Sequence, residues 1–160
     1  MIAMFVSMVL TSCSLQIPTD PDGTLDRVRG DVLRAGVSPN PPWTEVDSED
    51  DPVGVEPDLV RGFADRLDAE VDWKIGAESE LIPQLQDNQL DLVIGGLNGT
   101  TPWSGTIGLT RGYLTSIDDE GDRKDHVMAI MNGENAFLFE LEDYLMNAEI
   151  SVPDCVQVEP

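Results

Sequence analysis

Basic side chains are scarce in this chain. Nine lysines and arginines stand against thirty-one aspartates and glutamates in 160 residues, a net charge of −22. A surface this acidic repels phosphate backbones and anionic lipid headgroups, which disfavours nucleic acid and anionic membrane surfaces as partners. Cysteine is almost missing: Cys13 and Cys155 form no CxxC, and the one histidine, His126, has no cysteine near it. That removes a zinc site from consideration. No serine sits in a GxSxG elbow, and His126 opens a predicted strand, which is a structural position rather than that of a base. The acids Asp118, Asp119, Glu120 and Asp122 imitate a calcium loop, but Ala129 stands where an EF-hand needs a glutamate. No catalytic group, metal or cofactor is therefore expected. Internal repeats and low-complexity segments are missing as well.

What is there suits one folded domain. Apolar residues make up 41% and charged residues 25% of the chain, enough to bury a single core. Val32 to Val37 reads as a short buried strand that stops where Pro39, Pro41 and Pro42 forbid ladder pairing. Residues 45–51 read as an acidic, exposed loop. From Glu56 the period changes, with Leu59, Val60, Phe63, Ala64 and Leu67 on one helical face and Asp58 placed to cap or flank the helix start. Val71, Trp73 and Ile75 alternate with Asp72 and Lys74, a strand with one exposed face. Ser79 is the predicted N-cap of a second helix bearing Leu81, Ile82 and Leu85, with Pro83 near its first turn and Asn88 at its end. Residues 90–94 are almost continuously apolar, as in a parallel strand covered on both faces.

Strand, helix, strand, helix, strand with short connections requires right-handed crossovers and a parallel sheet. Ligands of such sheets bind beyond the carboxyl ends of the strands, here 38–44 and 95–101. Residues 116–125 then read as a hydrophilic linker, 126–131 as a strand, and Gly133-Glu134-Asn135 as the opening of a helix with Ala136, Phe137, Leu141, Tyr144 and Leu145 on its core side. The expected fold is a single α/β lobe, a mostly parallel sheet of about five strands with helices on both faces.

The first twelve residues carry no charge, and Met1 to Leu10 is apolar but short of the ~20 residues that span a bilayer. Leu10-Thr11-Ser12-Cys13 is similar to a bacterial lipobox, although the basic residues that usually precede such a core are missing. Residues 1–12 are thus expected to be a lipoprotein signal peptide, Cys13 the acylated residue, and 13–29 a polar tether holding the protein to the cell membrane. With Cys13 acylated, Cys155 is left as a free thiol or an intermolecular bridge.

Two stretches carry a family resemblance. Gly36-Val37-Ser38-Pro39-Asn40-Pro41-Pro42-Trp43 follows the first strand, and Gln89-Leu90-Asp91-Leu92-Val93-Ile94-Gly95-Gly96-Leu97 spans the third. Their order and spacing resemble the first lobe of the extracellular solute-binding proteins of family 3, the amino-acid-type receptors of ABC importers, with a periplasmic-binding-protein-like type II fold. The resemblance implies a second lobe between the linker and 126; here 116–125 takes its place, and 126–145 is similar to the element by which the chain re-enters the first lobe. The chain is read as that receptor reduced to one lobe over 30–148, with an acidic tail over 149–160.

The resemblance also implies a ligand site. Trp43 takes the place of the ring that faces the ligand, held extended by the prolines before it, or else packs over the core. Gly95, Gly96 and Asn98 match the turn whose backbone meets the ligand, or form a plain tight turn. Thr100 and Thr101 match the family's threonines, but Trp103 stands where an arginine is expected to hold a carboxylate. Arg111 either takes over that task or pairs with a nearby acid. Trp43 and Trp103 together suggest an aromatic site for a quaternary ammonium or other cationic solute. The implied function is an extracytoplasmic receptor for a small amino-acid-like or cationic solute, noncatalytic and weak for want of half its cleft, with an ABC permease as partner. The other reading is an interaction or homodimerisation module that buries an exposed patch including both tryptophans.

Overall fold

A computed structural model describes residues 19–46, 51–118, 120–153 and 157–158. In chain order the elements are α1 (Thr24–Val28), β1 (Val32–Val37), β2 (Glu45–Val46), β3 (Pro52–Val53), α2 (Val55–Arg66), β4 (Glu70–Ile75), α3 (Glu78–Gln86), β5 (Leu92–Ile94), β6 (Gly108–Leu109), β7 (Leu114–Ile117), β8 (Arg123–His126), β9 (Ala129–Ile130), α4 (Asn135–Asn147) and β10 (Gln157–Val158). The main sheet has the order β4-β1-β5-β9-β6. β1 pairs in parallel with both β4 and β5, while β9 runs antiparallel to its neighbours β5 and β6. The expected α/β lobe with a mostly parallel sheet of five strands is therefore what forms, with β9 the reversed strand.

Alternation along the strands divides the core in two. Leu92 and Ile94 of β5, with Leu33, Ala35 and Val37 of β1, face a cluster closed by α1, α2 and α4. Val93 and Ala129 face the opposite side, under Leu81, Ile82 and Leu85 of α3. Helices thus cover both faces, as a parallel sheet requires. Gly36 lets α3 settle this closely, since a Cβ there would lie 2.9 Å from Leu90 Cδ1 and 3.3 Å from Leu81 Cδ2. Asn88 ends α3 with φ of 56°, a left-handed conformation that asparagine tolerates.

Four expectations need correction. The helix α3 begins at Glu78 with Ala77 as its flanking residue, so Ser79 lies inside the first turn and caps nothing. Acidic Glu78 and Glu80 complement the helix dipole there instead. The strand predicted over 126–131 is broken: β8 ends at His126 and β9 holds only Ala129–Ile130. The break occurs because Val127 N–H donates to Leu97 O (3.0 Å) and Met128 N–H to Thr110 Oγ1 (2.9 Å), which carry the chain from one sheet to the next.

The stretch read as a tether is partly built into the lobe. Leu25 and Val28 of α1 are buried in the core, and Asp20 Oδ1 accepts the N–H groups of Ala136 (2.6 Å) and Phe137 (3.0 Å) at the start of α4. Glu134 in turn accepts N–H groups of Asp22 and Thr24. An apolar pair three residues apart and a distant cap give no local signal, which is why the polar composition misled. Lastly, half of the 116–125 linker is strand, because β7 and β8 pair as an antiparallel hairpin from Leu114–His126 to Ile117–Arg123, with β10 along the other edge of β7. The stretch expected to be a signal peptide, Cys13 and Cys155 lie outside the described residues.

Candidate functional site

β1 and β5 deliver two loops side by side at their carboxyl ends. Asn40 N–H donates to Thr44 O (2.8 Å) and Trp43 N–H to Asn40 O (3.0 Å), so the proline segment turns back on itself rather than holding Trp43 extended. Trp43 is 8% exposed, and its ring lies 3.8 Å, centroid to centroid, from the His126 imidazole. Gly54, with φ of 118°, lets the start of α2 pass this turn: a Cβ there would come 2.7 Å from Trp43 O.

The glycine turn after β5 is held from behind. Gly95 N–H and Gly96 N–H both donate to Oε2 of Glu56 (2.9 and 2.8 Å), and Tyr113 O–H donates to Oε1 (2.5 Å). Gly95 O accepts Asn40 Nδ2 at 2.9 Å. Gly96 has φ of 65°, and a Cβ on it would run into Asn40 Nδ2 at 2.2 Å, so only glycine fits. Glu56 is fully buried. Burial pushes its carboxyl above the ordinary value, partly countered by hydrogen bonds from Tyr113, Gly96 and Gly95. Burial and the neighbouring Glu56 together push the Tyr113 phenol well up.

Between these loops and the β7–β8 hairpin lies a cleft of about 680 Å³. Pro41, Pro42, Trp43, Gly96 and Asn98 form the wall from the sheet; Ser116, Asp118, Lys124 and His126 form the wall from the hairpin. Ser116 Oγ and His126 Nε2 are 2.8 Å apart, both residues buried. Burial lowers the imidazole pKa, with Asp125 opposing, and Nδ1 has no hydrogen-bond partner among the described residues. Lys124 Nζ pairs with Asp118 Oδ2 at 3.3 Å, and Asp118 Oδ1 accepts N–H groups of Asp122 (2.8 Å) and Glu120 (3.0 Å). Carboxylate oxygens of Asp118, Glu120 and Asp122 lie within 4.8 Å of one another, but those of Asp118 are already engaged.

The sequence-predicted residues divide accordingly. Trp43, Gly96 and Asn98 meet at the cleft, and Gly95 lies directly behind it with both backbone groups engaged. Thr100 is exposed and bonded to Asn98 Oδ1; Thr101 is buried, its Oγ1 without a partner among the described residues. Trp103 is half-buried against the α3 cluster and donates Nε1–H to Glu78 (3.2 Å), so it makes no aromatic pair with Trp43. Arg111 is bound to Glu142 of α4 through its backbone N–H (2.7 Å) and its Nε–H (2.9 Å). Nor do the two tryptophans form an exposed patch; Phe139 and Met146 of α4 are the strongly exposed apolar side chains among those described.

Glu56, Ser116, Asp118, Lys124 and His126 were not read as site residues. A signal for Glu56 existed, since it lies on the apolar face of α2, at helical spacing from Leu59, Val60 and Phe63. The hairpin residues gave none, because nothing local says that 116–125 folds back over the strand tips.

The chain is similar to membrane-bound lytic murein transglycosylase F of Vibrio cholerae (32% identity over 95 residues, 58% of this chain and 17% of the relative) and of Vibrio vulnificus (34% over 97 residues, 59% and 18%). It thus spans less than a fifth of the length of these curated relatives. Among solved structures it resembles the arginine-bound domain 1 of TmArgBP, the arginine-binding protein of T. maritima, with a TM-score of 0.63 and 24% identity over 73% of this chain and 93% of that one. It also resembles a Salmonella typhimurium periplasmic binding protein of high arginine specificity, with a TM-score of 0.63 and 14% identity over 72% and 92% of the two chains. Residues 33–118, more than half of the sequence and spanning β1 to the hairpin, match the family profile directly, and by that match the chain belongs to the bacterial extracellular solute-binding proteins, family 3.

Proposed function

We propose that this protein is a noncatalytic receptor lobe that binds a small, cation-bearing amino acid in the cleft at the tips of β1 and β5. The observation that carries this reading is the cleft itself, a polar hollow beside Trp43 at the place where open α/β sheets take their ligands. The net charge of −22 attracts cationic solutes over distance. The arginine-bound state of a lone domain 1 in the T. maritima neighbour is consistent with a single lobe holding such a ligand. Membership of an extracellular family favours an extracytoplasmic site of action, with Cys13 as lipid anchor and an ABC-type permease as recipient of the solute. No helix among the described residues is long and apolar enough to cross a membrane.

A site walled by one lobe and a hairpin buries less of its ligand than the ~70–90% common for small-molecule sites, so affinity is weak, with Kd of about 1 mM. Calorimetry against L-arginine, L-lysine, neutral amino acids and glycine betaine tests the reading. Heat from the basic amino acids that disappears in Trp43→Ala supports it; no heat from any of them refutes it.

The transglycosylase relatives favour a second reading, in which a lobe of this kind serves as a noncatalytic module inside or beside a larger protein. Concentration-dependent sedimentation without any solute effect on melting temperature would favour that module.

A further inference from the structure

The hairpin standing where the resemblance puts a second lobe is more than a connection. Its strand β8 ends on His126, 3% exposed, whose ring is fixed on one side by Trp43 and at Nε2 by Ser116, itself 6% exposed. A core histidine with a purely structural role has both ring nitrogens satisfied, because an unpaired buried polar atom costs about 1–3 kcal/mol. Here Nδ1 has no partner among the described residues, while the residue lines the cleft. Beside it Lys124 is the cation lining the cleft, paired with an Asp118 that two backbone N–H groups hold in place.

The lobe's own wall is short of donors for an anion. The N–H groups of Gly95 and Gly96 are engaged by Glu56, Trp103 stands in place of the expected arginine, and Arg111 is held by Glu142. A zwitterionic ligand needs its carboxylate met from elsewhere.

We propose that the β7–β8 hairpin is the second wall of the solute site and that it reads the α-carboxylate of an amino acid through His126 Nδ1–H and Lys124 Nζ. This rests on the receptor reading above. Ser116 is the positioning residue: its hydroxyl donates to Nε2, which leaves the neutral ring's proton on Nδ1, a donor enclosed behind the cleft surface that a ligand oxygen reaches as the hairpin edge shifts. Asp118, released from Lys124, meets the ligand's cationic end. One ion pair is exchanged for two, and the buried nitrogen gains its partner.

The charged and titratable groups around the imidazole are Asp125 on its own strand, Lys124 and Asp118 at the cleft, and Tyr113, ring centroid 6.4 Å away, with Glu56 behind it. Of these, a bound carboxylate adds new negative charge next to the ring. It raises the His126 pKa, so affinity rises as pH falls.

Because the sequence holds one histidine, its imidazole resonances can be followed without ambiguity through a pH titration, alone and with L-arginine or agmatine, which lacks the carboxylate. L-Arginine is expected to raise the His126 pKa and agmatine not to. Lys124→Met on the half-buried hairpin edge, and His126→Gln, are each expected to weaken L-arginine about tenfold, whereas agmatine, with no carboxylate to lose, is weakened by neither and is strengthened by Lys124→Met, which frees Asp118. Binding of L-arginine with the His126 pKa unmoved or lowered, or with full affinity in Lys124→Met, overturns the hairpin assignment and leaves the receptor reading standing. Failure of the unmodified protein to bind any basic amino acid removes the receptor reading, and this assignment with it.

Discussion

The two ends of the parallel strands treat buried carboxylates in opposite ways. At the amino end Asp91, with a fully buried side chain, accepts Arg34 N–H (2.8 Å), Arg34 Nη2 (2.6 Å) and Arg27 Nη2 (2.5 Å). Burial alone would raise its pKa, but the hydrogen bonds from Arg34 and Arg27 outweigh it and hold the carboxyl below its ordinary value. At the carboxyl end Glu56 has only neutral donors, and burial wins. His126 Nδ1, on a residue that lines the cleft, and Thr101 Oγ1, in the loop after β5, have no partner among the described residues. Full charge compensation marks the end that holds the fold together. Incomplete compensation marks the end that faces the cleft.

The largest test of that contrast removes the compensated charge. Asp91→Ala leaves Arg27 and Arg34 facing each other and deprives Arg34 N–H of its acceptor. Breaking a buried pair costs about 3–5 kcal/mol, and the partial exposure of both arginines puts the loss near the lower figure, about 3 kcal/mol by urea denaturation. Solute affinity should be unchanged while the protein is folded. A loss under about 1 kcal/mol would show that the amino end is no more dependent on charge pairing than a surface.

Glu56 comes next. Glu56→Ala strands two backbone N–H groups and the Tyr113 hydroxyl, and should cost about 2 kcal/mol; Glu56→Gln keeps a carbonyl acceptor for the glycine turn and should cost less. The pH dependence separates this carboxyl from the imidazole. A carboxyl raised in the folded state contributes stability that is complete below its ordinary 4.5 and is lost as pH rises through the raised folded value. An imidazole depressed in the folded state contributes stability that is complete above its ordinary 6.5 and is lost as pH falls toward the lowered folded value. Each slope is at most about 1.4 kcal/mol per pH unit. Denaturation from below pH 4.5 to above 6.5 should show Glu56→Gln losing the first slope and His126→Gln the second.

The sheet was legible because its signals are local. The apolar run of β5, the alternation of β4 and the helical spacing on α2 each lie within one element, and the prolines after β1 announce its end. The cleft was legible only on the wall built by those same strands, where Trp43, Gly96 and Asn98 follow directly from strand ends. What escaped depends on contacts far apart in sequence. Asp20 caps α4 from 116 residues away, and β7–β8 looked like a linker because its strands are short and β8 is charged, with burial only at Ser116 and His126. Arginine 111 shows the remaining difficulty: its residue type suited the task, and a distant glutamate decided otherwise.

That last residue supplies the smallest prediction. If Arg111 served the cleft, Arg111→Ala would abolish solute binding with little effect on stability. Its side chain is instead 65% exposed on a partner from α4, and Trp103 spends its indole N–H on Glu78. Exposed pairs contribute about 0.2–1 kcal/mol, and a hydrogen bond to a charged group about 1.5–3 kcal/mol, with the half-buried setting and 3.2 Å length of the indole bond putting it at about the lower figure. Arg111→Ala should therefore lower stability by no more than about 1 kcal/mol and Trp103→Phe by about 1.5 kcal/mol, and both should leave L-arginine binding unaltered. A binding defect in either variant would move the solute off the hairpin wall and toward the face expected from the family, because neither side chain can reach the ligand without giving up the partner it now holds.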